Sequence, residues 1–312
     1  MSQNSRPIST VSAVQGIIEK NSHNSAYVLG NGINRYYSKD NLSWEALLLN
    51  LWNKYAKNEK HQTAIFKGIS FTEFYDAIDI QNTSQTDFST TIQKEVKHKM
   101  ELWQPNLQQN KIIDRIREQD SPLLTTNFDD LIPKSAGLSF YKMEHQGFTD
   151  FYPWSCYYGD SVLKDPLDGF GVWYPNGMVK YHRSIKLGLS QYMGNVERVR
   201  KMLHNKRESI YFDRKNRNEW KGYLSWLHIV FNKSLIVIGL GLEENEVFFR
   251  WLLIERAKYF KMFPSRRKEG WYITVKDDKD INFLGKQFFL ESVGLKVLEV
   301  ESYDVLYSSI WE

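Results

Sequence analysis

Three short stretches carry residues whose types and spacing suit chemistry on a phosphate-bearing ligand. The first, Gly30-Asn31-Gly32, leaves the apolar run "AYVL" through two glycines one residue apart, with Ile33 and Asn34 next. Glycines at such a junction let backbone N–H groups approach a pyrophosphate, and they serve an ordinary tight turn equally well. Where the dinucleotide fingerprint has its third glycine, this chain has Arg35. The second stretch, Thr125-Thr126-Asn127-Phe128-Asp129-Asp130, follows "PLL" and sets Asn127 and Asp129 just beyond another apolar run. That pair could face a bound dinucleotide, or start a turn and cap a helix. The third, Gly239-Leu240-Gly241-Leu242-Glu243-Glu244-Asn245, closes the run "SLIVI". A carboxylate there could accept hydrogen bonds from ribose hydroxyls, or favour the positive end of a following helix.

The elements that must hold these residues are readable from the apolar pattern. Continuous apolar runs at 26–30, 122–128, 234–241, 271–275 and 294–300 match strands buried on both faces of a parallel sheet. Amphipathic stretches at 43–56, 110–119, 223–231 and 245–260 predict helices between them, the first with Ser43 as its N-cap. Strands alternating with helices predict an α/β fold, a Rossmann-like parallel sheet with helices on both faces. Two stretches break that rhythm. Residues 57–109 are polar and mostly helical in pattern, and residues 140–222 are rich in Gly, Pro and aromatics around an Asn176-Gly177 turn. They are expected to be helical and aromatic-rich insertions in a single domain spanning 1–312, since no Pro/Ser-rich linker marks a boundary.

Composition narrows the function classes. Charged residues at 25% and hydrophobic residues at 42% are those of a globular protein. Cys156 is the only cysteine, which excludes an intramolecular disulfide and a Cys-rich structural zinc site. The polar start "MSQNSRPIST" lacks the apolar core of a signal peptide. No run reaches the roughly 18–20 apolar residues of a membrane span. The expectation is a soluble, cytoplasmic protein with no membrane association.

The order and spacing of the three motifs resemble the sirtuin-like superfamily, in particular the bacterial sirtuin-like proteins of phage defence rather than the protein deacetylases. That family has a Gly-Ala-Gly turn followed by a Trp-Leu-Leu-type helix, where this chain has "GNGIN" and "SWEALL". It has a Thr-Asn-aromatic-Asp motif, matched by "TTNFDDL", and later a Gly-containing turn with an acidic residue before a helix, matched by "IGLGLEEN". The resemblance covers about residues 25–260. It implies NAD as substrate, cleaved at the nicotinamide–ribose bond without a metal, in antiviral abortive defence. Gly30, Asn31, Gly32, Ile33, Asn34, Thr126, Gly239, Gly241 and Glu243 are then the NAD-binding set. Asn127 positions the nicotinamide ribose and the attacking water, and Asp129 shapes the nicotinamide pocket.

In the family a histidine acts as general base, usually in a His-Gly pair. Here Asn176-Gly177 stands at that position, and His182 follows five residues on, before Arg183-Ser184-Ile185. His182 is therefore the candidate base, or else a polar residue with no part in the chemistry. The deacetylases hold their small domain with a four-cysteine zinc site, which one cysteine cannot supply, so NAD cleavage is expected rather than recognition of an acetyl-lysine peptide. An NAD hydrolase that is always active would harm its host, so control by homo-oligomerisation or by a partner defence protein is expected.

Two other functions remain open from sequence. Residues 197–221 carry Arg198, Arg200, Lys201, Lys206, Arg207, Arg214, Lys215, Arg217 and Lys221 among Tyr211, Phe212 and Trp220, a composition able to grip nucleic-acid phosphates and stack bases. Glu197, Glu208, Asp213 and Glu219 dilute it, which suits a solvated helix face or a protein-binding surface. The third alternative is a nucleotide-sensing module that binds without cleaving, because of the altered His-Gly position.

Overall fold

The computed structural model describes residues 7–37, 44–55, 68–82, 88–143, 152–204, 212, 220–244, 246–278 and 280–312. Ser43, Asn245 and most of the basic run (Lys206, Arg207, Arg214, Lys215 and Arg217, with Tyr211, Glu208, Asp213 and Glu219) lie outside the described residues.

In chain order the elements begin with α1 (Val11–Lys20), β1 (Ser25–Leu29), α2 (Gly32–Tyr37), α3 (Trp44–Tyr55), α4 (Phe71–Gln81), α5 (Phe88–Glu101) and α6 (Asn110–Glu118). There follow β2 (Leu123–Thr125), α7 (Leu131–Ser135), β3 (Ser139–Lys142), β4 (Cys156–Gly159), β5 (Gly171–Trp173), α8 (Leu189–His204) and α9 (Trp226–Asn232). The last are β6 (Ser234–Ile238), α10 (Val247–Met262), β7 (Gly270–Val275), α11 (Phe283–Ser292), β8 (Lys296–Val300) and α12 (Tyr303–Tyr307). Side chains cap several helices: the Thr10 hydroxyl accepts from the Ala13 N–H at 3.2 Å, and Ser70 with Glu73 closes a capping box on α4. Among the described residues no helix is long and apolar enough to cross a membrane.

The eight strands found among the described residues join one sheet in the order β3-β4-β5-β2-β1-β6-β7-β8. The six strands from β5 to β8 are parallel, while β3 and β4 add antiparallel pairs at one edge. Numbered in chain order, the parallel strands run 3-2-1-4-5-6, the doubly wound order of a Rossmann-like fold. The expected α/β class is thus what forms. The five strands read from sequence are β1, β2, β6, β7 and β8, and the sixth parallel strand, β5, lies inside the aromatic-rich stretch 140–222.

Strand alternation distributes the core over two faces. Ala26, Val28, Leu124, Leu235 and Val237 point to one side and pack with α8, α9, α10 and α11. Tyr27, Leu29, Leu123, Ile236 and Ile238 point to the other and pack with α1, α6, α12 and Ile310 and Trp311. A third cluster joins α3, α4 and α5 to Phe128, Val179, Ile185 and Leu187, so the helical stretch 57–109 anchors beside the second motif.

Between β1 and β6 the connections leave in opposite directions, one toward β2 and the other toward β7, and the two glycine turns meet there. The Gly30 N–H donates to Ile238 O at 3.1 Å and the Gly32 N–H to Gly239 O at 2.9 Å. A Cβ on Gly30 would lie 2.4 Å from Gly239 O, inside any allowed contact with a backbone atom. Gly30→Ala is therefore expected to destabilise the fold by about 2–3 kcal/mol through overpacking. Gly16→Ala, on the exposed side of α1 with open space around it, should instead stabilise by roughly 0.5–1 kcal/mol. Urea denaturation of the two variants checks both signs.

Candidate functional site

The carboxyl ends of β1, β2, β5 and β6 surround a cleft of about 500 Å³, a size within the range of small-molecule sites. Its wall takes Asn31, Gly32 and Arg35 from the turn after β1, and Thr126, Asn127, Phe128 and Asp129 from the turn after β2. Asn176 comes from the loop after β5, and Gly239, Leu240, Gly241, Glu243 and Glu246 from the connection after β6. Tyr192 of α8, Leu47 of α3, and Phe71, Met100 and Trp103 from the helical insertion enclose it further. On the β7 side stand Tyr272, Thr274, Asp277, Asp280, Phe283, Lys286, Tyr303 and Tyr307.

Hydrogen bonds lace the turns together. Asn127 donates from Nδ2 to Gly30 O at 3.4 Å, and its own N–H is held by Thr125 Oγ1 at 3.2 Å. Asn34 Nδ2 donates to Asp129 Oδ2 at 2.9 Å and to Asn31 Oδ1 at 3.2 Å, tying the first turn to the second. Asp129 Oδ1 accepts the Leu131 N–H at 3.1 Å, an Asx turn that opens α7. Asn176 Nδ2 donates to Thr126 O at 3.3 Å, and the Val179 N–H to Phe128 O at 2.8 Å, which ties in the β5 loop. With the amide so oriented, Asn176 Oδ1 is buried and accepts no hydrogen bond among the described residues.

Of the residues expected from sequence, Asn31, Gly32, Thr126, Asn127, Asp129, Gly239, Gly241 and Glu243 border this cleft together. Gly30, Ile33 and Asn34 sit behind it: Gly30 receives the Asn127 amide, Ile33 is fully buried in the core, and Asn34 braces Asp129. His182 is not part of the wall. It begins the short 3-10 turn His182–Ser184, packed against α5, and burial followed by Lys97, Lys94 and Arg183 lowers its pKa. Glu243 is already engaged, its Oε1 2.7 Å from Lys286 Nζ, with Asp280 3.5 Å from the same ammonium.

Sequence reasoning passed over Glu246, Tyr192, Lys286 and Tyr307. Glu246 stands one residue beyond the acidic motif and just before α10, where spacing gives no means of separating it from Glu243 and Glu244. Tyr192 and Tyr307 arrive from elements distant in the chain, and carry no local signal.

Two carboxyls in the wall hold their protons unusually well. Burial pushes Asp129 up to about 6, with the adjacent Asp130 adding to the effect and the Leu131 and Asn34 donors opposing it. Enclosure pushes Glu246 up to about 7, with Glu243 as the nearby like charge. A carboxyl titrating near neutrality, as Glu246 does, suits proton transfer.

A scan against protein-family models and a search of curated proteins each found no match. The fold and cleft define a Rossmann-like α/β protein with a cleft of small-molecule size at its switch point.

The raised carboxyls make stability depend on pH. Glu246 ionises near 4.5 when unfolded and about 7 when folded, so the folded chain binds more protons in that window and loses stability as pH rises through it. Glu246→Gln removes this term. The variant should match wild type near pH 4 and become progressively more stable than wild type up to about pH 7, with the difference constant above. Urea midpoints across pH 4–8.5 test this.

Proposed function

We propose that the chain binds NAD in this cleft and hydrolyses its nicotinamide–ribose bond. The observation that carries the reading is the convergence of the three sequence motifs on one cleft at the switch point, with Asn127 and Asp129 side by side in its wall. Open α/β sheets bind nucleotides at that position, and the glycines there keep side chains out of a ligand's way. Arg35, exposed and without an ion pair among the described residues, adds a positive charge beside the turn for the diphosphate.

In this reading Asn127 holds the ribose and the attacking water. Asp129, fixed by Asn34 and the Leu131 N–H, sets the polarity of the nicotinamide end. The C1′–N1 bond breaks with its electron pair going to the pyridinium nitrogen, giving neutral nicotinamide, and water adds to the oxocarbenium-like ribosyl group. Positioning the water against C1′ supplies much of the acceleration. The role in antiviral defence is proposed on the motif resemblance alone.

Asn176 at the His-Gly position favours a second reading, nucleotide sensing without cleavage, since an amide cannot take up a proton. One assay separates them. Wild type should release nicotinamide from NAD, and Asn127→Ala should lower release by roughly 100-fold or more. The variant should lose no more than about 1 kcal/mol of stability, the worth of one hydrogen bond. ADP-ribose binding by calorimetry, with no nicotinamide formed by wild type, would favour sensing.

A further inference from the structure

We propose that Glu246 is the proton acceptor of the cleft, taking the proton of the attacking water in place of the histidine that the Asn176-Gly177 turn lacks. The assignment rests on the NAD-hydrolase reading and adds to it the residue that handles the proton.

The backbone at Glu246 is fixed: its N–H donates to Glu243 O at 2.9 Å and its carbonyl accepts the Arg250 N–H at 3.0 Å, setting the side chain at the mouth of α10. The carboxyl borders the cleft, yet no hydrogen bond or ion pair engages it among the described residues. The other candidates are occupied or absent. Asp129 receives Asn34 on one oxygen and the Leu131 N–H on the other. Glu243 holds Lys286, as does Asp280. His182 lies outside the wall. A half-buried carboxyl left open on a ligand-sized cleft has its accepting capacity free for water or substrate.

The groups facing it are Glu243 from its own connection and Tyr192 from α8, with Lys286 of α11 beyond Glu243. Burial and the like charge of Glu243 bring its ionisation to about 7, while the N-terminus of α10 favours the charged form. In the step, one water O–H bond breaks as its oxygen bonds to C1′. The proton passes to a Glu246 oxygen and is later released to solvent, so NAD and water give ADP-ribose, nicotinamide and one proton. The base must be ionised, so turnover rises with pH through its pKa.

The test measures nicotinamide release from NAD between pH 5.5 and 8.5 for wild type, Glu246→Gln and Glu246→Asp, with ADP-ribose affinity by calorimetry and circular dichroism as a fold control. The expected result is a wild-type kcat that climbs to a plateau above about pH 7 and falls at least about 100-fold in Glu246→Gln with loss of the acid limb. ADP-ribose affinity should stay within about threefold, and Glu246→Asp should keep the limb at reduced rate. A Glu246→Gln chain with the wild-type rate or an unchanged limb overturns this assignment and leaves the hydrolase reading standing. A wild-type chain that binds ADP-ribose and releases no nicotinamide at any pH overturns both.

Discussion

The close backbone approach between β1 and β6 is the constraint on which the cleft depends. Two turns that leave neighbouring strands in opposite directions can touch only if nothing projects between them, and Gly30, Gly32 and Gly239 meet that demand. Gly239 also adopts φ +66°, a left-handed conformation open to glycine. The same N–H groups could have been arranged around a phosphate alone, yet two of them are spent on Ile238 and Gly239 carbonyls. Packing between the two turns is therefore reason enough for the glycines.

The polar lacing follows from this contact. Once the turns abut, Asn34 reaches Asp129, and Asn127 reaches the Gly30 carbonyl, so side chains from separate motifs fix one another. Burying carboxyls in such a wall is unfavourable when they are charged, and the chain offsets this in two ways. Lys286 neutralises Glu243, whereas Asp129 and Glu246 retain protons to higher pH. The cleft wall thus holds both a conventional ion pair and carboxyls whose ionisation is pushed upward.

Much of the sheet was legible because a strand covered on both faces is apolar at every position, as "SAYVL" and "SLIVI" are. β5 showed only as extended chain before the Asn176-Gly177 turn, because Gly171-Val172-Trp173 is too short to establish a run, and β3 escaped notice because its edge position leaves Ser139 and Lys142 exposed. In the site, the Gly30–Gly32 and Asn127–Asp129 pairs were visible as local motifs. Glu246 and Tyr192 were not, since their importance comes from meeting across a cleft between α8 and the start of α10. His182 was adjacent in sequence to the position of interest, but the Asn176-Gly177 turn, with Gly177 at φ +99°, takes the chain away before reaching it.

Tyr307 has a consequence for biosynthesis. Its ring stacks on Tyr36 at 4.9 Å, and its hydroxyl fills the space where a Cβ on Gly32 would stand, so it wedges the first glycine turn from behind. The central strand β1 likewise waits for β6, Ser25 pairing with Ser234. A ribosome-bound chain therefore carries its first motif long before the walls that give it shape exist, and the cavity can close only after residue 307 has emerged. Whatever the site does, the nascent chain cannot begin doing it during most of its own translation.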